Sequence, residues 1–307
     1  MTNRWITSTP NRAAAFTLVE MLVSVSVLAV LILGVTELFN SATLLIGLGN
    51  KHMTTDGEAR ELLDRMAIDF GQMVLRTDVD YFVKSGSNLT PATSDQLAFF
   101  CEMPGYYSST TSTNSQSPDS LVAYRVNTDN STYPSMQRYA MGLLWCGATG
   151  TDTPMVFLPQ TIVANWPAAT NLNADPDYET IGPDTFRFEY FYLLKGQQPY
   201  TAILSDTPWN THLGHTTVNG FRDVAAIEVA VALIDPASRN LVSPTMLSAL
   251  AGQMQHFNNS MAPGALEAQW QSAILASGSN GGIPRPAMEA IRVYHRDFYL
   301  SSPDPLP

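Results

Sequence analysis

Glu20 is the one ionisable side chain in the 20 residues from Phe16 to Val35, FTLVEMLVSVSVLAVLILGV. A carboxylate so placed is suited to pairing with a cation, because an unpaired charge in hydrocarbon costs roughly 2.5–3.5 kcal/mol on insertion scales. The bland alternative is an acid near a membrane edge whose stem reaches out to the interface. Elsewhere the chain offers five histidines: His52, His212, His215, His256 and His295. His212 and His215 have HxxH spacing, but no acidic or cysteine partner completes a ligand set beside them, and two ordinary loop histidines are the simpler reading. Asp175, Asp177, Glu179 and Asp184 crowd the segment NADPDYETIGPD (173–184). Oxygen ligands suit Ca²⁺, yet the spacing is not that of an EF-hand loop, and a solvated acidic loop is preferred. Cys101 and Cys146 fit either one disulfide in an oxidising compartment or two buried thiols. The chain has no GxSxG elbow, P-loop, HExxH or cysteine cluster, so the sequence nominates no catalytic residue and no cofactor, and an enzyme is not expected.

The segment that carries Glu20 is long enough to cross a bilayer, which takes about 20 apolar residues. Ser24, Ser26 and Gly34 interrupt it chemically, but a helix satisfies its own backbone. The 15 residues before Phe16 contain Arg4 and Arg12 and no acid. Short basic flanks stay cytoplasmic, so the expectation is a single span with the C-terminal bulk outside the cytoplasm. An ordinary secretory signal is cut after its apolar region, at small residues. Here Ala13, Ala14 and Ala15 precede the apolar run, so cleavage there would leave the run on a mature chain beginning at Phe16.

Beyond the span, Leu38, Leu45, Leu48, Leu62, Leu63, Met66, Phe70, Met73 and Val74 keep a three-to-four spacing, which predicts a helical extension over 36–76. Thr54–Gly57 (TTDG) suggests a kink within it. After Arg76 the period changes to two. DQLAFFCEM, SLVAYRV, MQRYAMGLLW, DTFRFEYFYLL, DVAAIEVAVALID and AIRVYHRDFYL read as strands, and the Ser/Thr-rich Ser108–Ser120 as a loop. Alternation places Phe186, Phe188, Tyr190 and Tyr192 on one face, and Ile227, Val229, Val231 and Leu233 on one face with Glu228 opposite. An insertion over about 244–276 reads as two short helices. Leu266, Trp270 and Ile274 form either an apolar docking stripe there or, preferably, part of a surface elaboration. One long helix followed by antiparallel strands gives an α+β fold. The formal charge of −11, which loss of Arg4 and Arg12 would make −13, excludes general attraction to nucleic acid.

FTLVEMLVSVSVLAVLILGV resembles the N-terminal segment of type IV pilins and type II secretion pseudopilins. The resemblance implies a leader over 1–15 and a membrane and assembly helix over 16–35. The extension over 36–76 would then lead to an extracytoplasmic, pilin-like head over 77–307. It further implies that a prepilin peptidase cuts between Ala15 and Phe16 and methylates the new amine. Glu20, the fifth mature residue, would pair with the N-terminal amine of a neighbouring subunit. The family usually has glycine where this chain has Ala15. The order of elements, with Phe186-Arg187-Phe188 in the fourth strand, is similar to the minor pseudopilin J of type II secretion, and the chain also resembles the Verru_Chthon cassette group of prepilin-like proteins. The expected partners are other pilin or pseudopilin subunits and an assembly platform, and the expected location is the inner membrane with the head in the periplasm or outside, then a filament. Three rivals stand beside this: a minor pilin for adhesion or DNA uptake, a membrane-anchored binding domain that does not polymerise, and a tethered hydrolase.

Overall fold

The computed structural model describes residues 17–75, 94–106, 116–127, 132–142, 178–196, 203–210, 214, 221–279 and 282–300. Residues 1–50 and 51–307 form two separate compact units. The first holds the N-terminal part of helix α1 (Leu18–Gly71), and all of its described side chains are exposed. That apolar stretch is long and hydrophobic enough to cross a membrane, and none of it is buried within the protein. Its hydroxyls are satisfied along the helix: Ser24 donates to Glu20 O at 2.7 Å, Ser26 to Leu22 O at 2.8 Å and Thr36 to Ile32 O at 2.8 Å. Back-bonding of this kind lets Ser and Thr sit in an apolar span without orphaned polar groups.

In the second unit α1 is packed rather than exposed. Ala59, Leu62, Leu63, Met66 and Phe70 are buried on the predicted three-to-four spacing. The helix is continuous through Thr54–Gly57, and buried Thr55 donates to Lys51 O at 3.0 Å. It ends at Gly71 rather than Arg76. Gln72 N and Met73 N close back on Asp69 O and Phe70 O at 3.2 and 3.3 Å, tightening the last turn.

The strands are β1 (Leu97–Cys101), β2 (Gly105–Tyr106), β3 (Gln116–Ser117), β4 (Ser120–Val126), β5 (Met136–Gly142), β6 (Tyr178–Gly182), β7 (Thr185–Leu194), β8 (Ile203–Ser205), β9 (Val224–Ile234) and β10 (Ile291–Tyr299). They form two antiparallel four-stranded sheets, ordered β1-β4-β5-β6 and β10-β9-β7-β8, and a β2-β3 ribbon. The architecture is therefore α+β and pilin-like, a long N-terminal helix with antiparallel sheets. Two predicted loops carry strands. Gln116–Ser117 pairs with Gly105–Tyr106, and the acidic segment contributes β6, with Glu179 opposite Arg138. Gly105 sits so close to β5 that a Cβ there would stand 2.6 Å from Gly142 N.

One core joins α1 to both sheets through Phe99, Val122, Tyr124, Phe188, Tyr190, Tyr192, Ile227, Val229, Val231 and Leu233. Phe186 does not join them. The register shifts between Thr185 and Arg187, and a bulge reverses side-chain parity, so Phe186 faces the second core with Phe191, Ala230, Ala232 and Ile234. That core is closed by the insertion between β9 and β10, made of α2 (Pro236–Arg239), α3 (Pro244–Gln253), α4 (Ala265–Ser279) and α5 (Arg285–Met288). Asp235 caps α2 by accepting from Ser238 N at 2.9 Å, and Ser243 caps α3 by accepting from Met246 N at 3.3 Å, each followed by proline, a start signal readable in sequence. Leu266, Trp270 and Ile274 are buried in the second core, so the stripe holds the insertion down and offers no docking surface.

Candidate assembly site at the N-terminal helix

Thr17 precedes α1 and Glu20 lies in its first turn. Thr17 N and Thr17 Oγ1 both donate to Glu20 Oε2, at 2.9 and 3.0 Å, and Glu20 N donates back to Thr17 Oγ1 at 3.3 Å. This is a reciprocal capping box, which satisfies amides that the helix start would otherwise leave orphaned. A carboxylate there also meets the positive end of the helix dipole. The sequence carries the signal as Thr17-Leu-Val-Glu20, a T-x-x-E ahead of an apolar run, which the focus on Glu20 alone misses. Glu20 is therefore held beside the backbone of Thr17, the residue that follows Phe16 in the sequence. Ala15 and Phe16 themselves lie outside the described residues.

The other candidates divide similarly. Asp175, Asp177, His212, His215 and Cys146 lie outside the described residues. Glu179 is exposed on β6, whereas Asp184 is buried and ion-paired with Arg239. Asp184 N also donates to Glu58 Oε1 at 3.0 Å, tying the β6–β7 turn to α1 and α2. Burial, with the charge of Asp184, pushes the Glu58 carboxyl up to about 7 against the opposing effects of the Asp184 amide and Arg239. Cys101 is a free, buried thiol that donates to Asp69 O at 3.5 Å. Burial foremost, then the charge of Asp69, pushes it up to about 12, so it is inert as a nucleophile.

A buried ionic cluster was not legible. Asp95, Glu189 and His256 bring three possible metal-ligand atoms within 4.8 Å of one another. The cation among them is Arg187, which is itself fully buried. Its Nη2 lies 3.0 Å from Glu189 Oε2 and 3.2 Å from His256 Nδ1, the place a metal would need. Its guanidinium stands 5.4 Å over the Trp270 ring, and Phe257 N donates to Glu189 Oε1 at 3.0 Å. Burial lowers the Arg187 pKa and the charges of Glu189 and Asp95 oppose it. The cluster fastens the insertion to β7.

The family model for the prokaryotic N-terminal methylation motif matches residues 10–36. No curated protein matches the chain. The match takes in Glu20 and the exposed apolar turns of α1, so the chain carries a type IV pilin-like prepilin motif on a helix that fits a single-pass anchor, followed by a C-terminal head. Such a motif implies processing by a prepilin peptidase and assembly with other pilin-like subunits, and it marks a structural class of protein rather than an enzyme family.

Proposed function

We propose that the chain is a minor pseudopilin-like structural subunit of a type II secretion or type IV pilus-like filament. It is inserted through the apolar part of α1 with Arg4 and Arg12 held in the cytoplasm and the head in the periplasm or outside. It is cut between Ala15 and Phe16, methylated at Phe16, and drawn into the filament by an assembly platform. The observation that carries this is the methylation motif at residues 10–36 lying on a helix start whose only acid, Glu20, is capped on Thr17 in an otherwise apolar, exposed stretch. Within a filament that stretch is buried between subunits, and the Glu20 carboxylate meets the Phe16 amine of a neighbour. The pairing offsets the cost of the buried charge and sets the axial register. The element order of the head, with Arg187 between Phe186 and Phe188 on β7, supports a position like that of the J-type minor pseudopilin.

The test is the mass of the N-terminal peptide from native membranes, with and without a prepilin peptidase. The expected result is a peptide beginning at N-methylated Phe16 that vanishes without the peptidase. A peptide retaining Met1–Ala15 in both strains sinks the proposal and leaves a static anchor with an external binding domain.

A further inference from the structure

A second group of metal-ligating atoms lies where the insertion meets the sheet. Glu228 on β9 stands directly opposite Asp297 on β10, and His295 lies two residues before Asp297, hence on the same face. Like charges directly opposite across two strands are destabilising. Here they converge on one imidazole: His295 Nε2 lies 3.3 Å from Glu228 Oε2 and 3.2 Å from Asp297 Oδ1, and the three ligand atoms are within 4.8 Å of one another. The Glu228 side chain is only 10% exposed. A third carboxylate closes from above, with Glu267 Oε1 on α4 3.7 Å from His295 Nδ1. The other oxygen of that carboxylate, Oε2, is buried with no hydrogen-bond partner.

Unlike the Arg187 cluster, this one is given no arginine among the described residues. Arg292 and Arg296 occupy the alternate positions of β10, toward the opposite face, where Arg296 Nη1 donates to Asp64 Oδ1 at 2.5 Å. Three carboxylates thus face a single imidazole, and partly buried like charges of this kind are costly unless a cation joins them. The distances suit a metal, since ligands placed tetrahedrally about 2.0–2.1 Å from zinc stand about 3.3 Å apart. The imidazole is also preset, its ring parallel to Phe191 within 3° at a centroid distance of 6.2 Å.

We propose that Glu228 Oε2, His295 Nε2 and Asp297 Oδ1 bind one divalent first-row transition cation of the zinc type. Glu267 orients the imidazole from its Nδ1 side. The imidazole nitrogen sets the site apart from Ca²⁺ and Mg²⁺ cages, which use oxygen donors. A carboxylate on the far nitrogen of a metal-ligating histidine is the usual orienting partner. The fourth coordination position is left to water. The cation ties β9 and β10 together and, through Glu267, fastens α4 to them.

The test uses the full chain in detergent micelles, stripped with a chelator and titrated with ZnCl₂ by calorimetry, with CaCl₂ in parallel. Zn²⁺ is expected to bind with one-to-one stoichiometry and to raise the melting temperature, and Ca²⁺ to do neither. Asp297→Asn, at an exposed site that leaves the fold intact, is expected to abolish Zn²⁺ binding. Glu267→Gln is expected to weaken it by about 10–100-fold. A His212→Asn/His215→Asn double variant is expected to bind as the parent does. The proposal is overturned by absence of Zn²⁺ binding, by binding that survives Asp297→Asn, or by binding lost in the His212/His215 variant.

Discussion

Arg138 on β5 grips Asp69 of α1 with both arms of its guanidinium, Nε to Oδ2 at 2.6 Å and Nη2 to Oδ1 at 2.9 Å. The Asp69 side chain is 0% exposed, and the Tyr124 hydroxyl donates to the same Oδ2. Burial, with the charge of Asp69, pushes that phenol well above its ordinary pKa, so it stays a donor. One carboxylate thus fastens the helix to both central strands of the first sheet. Asp69→Ala leaves Arg138 charged, buried and unpaired, and removing one partner of such a pair costs about 3–5 kcal/mol. Denaturant unfolding in detergent should show a loss of that size, and adding Arg138→Met should recover part of it. A loss under about 1 kcal/mol, the range of exposed pairs, would contradict the role assigned to this contact.

The link between Glu58 and Asp184 makes a pH prediction. The folded-state pKa of Glu58 is raised to about 7 from 4.5. The folded state therefore binds this proton more tightly than the unfolded state, and the group destabilises the fold once ionised. Its contribution is most favourable below the unfolded value and falls as pH rises from about 4.5 to about 7. Glu58→Gln should flatten the melting-temperature profile across that window, most visibly by removing the decline on its alkaline side. Identical profiles for parent and variant would show that the carboxyl is not perturbed.

Thr17 and Glu20 separate helix capping from assembly. Glu20→Gln keeps an acceptor at the third helical position, so the capping box persists while the charge is gone. Thr17→Ala removes the hydroxyl that receives Glu20 N, at a capping cost of about 0.5–2 kcal/mol. On the proposed function, Glu20→Gln leaves membrane levels unchanged but strongly depletes the protein from the sheared filament fraction, and Thr17→Ala depletes it less. Immunoblots of membrane and sheared fractions measure both. Equal incorporation of parent and Glu20→Gln would remove the charge-pairing role.

Local regularity was legible in the sequence, while convergence of distant segments was not. The six main strands follow from alternation, and Ile227, Val229, Val231 and Leu233 do share the face predicted for them. Phe186 is misplaced by strict alternation because a bulge is set by the partner strand, not by the residues that flank it. Glu20 announces itself because it is the sole charge in an apolar run. Thr17, three residues earlier, was equally readable as half of a capping box. The two ionic clusters had no comparable signal. Asp95 and His256 reach Glu189 from segments far apart in the chain, and His295 meets Glu228 only once β10 pairs antiparallel with β9. Tertiary pairing creates these sites, and no short motif encodes them.

Arg187 supplies the last prediction, since it is the internal cation of the first cluster. Arg187→Met preserves an apolar stem against Trp270 but takes the guanidinium away from the buried carboxylate of Glu189, 3.0 Å from it in the parent. Breaking a buried pair from one side costs about 3–5 kcal/mol. Denaturant unfolding of Arg187→Met in detergent should show a loss of that size, because the variant keeps the stem but not the charge. A loss under about 1 kcal/mol, the range of exposed pairs, would mean that Arg187 acts through its packing on Trp270 rather than through its charge.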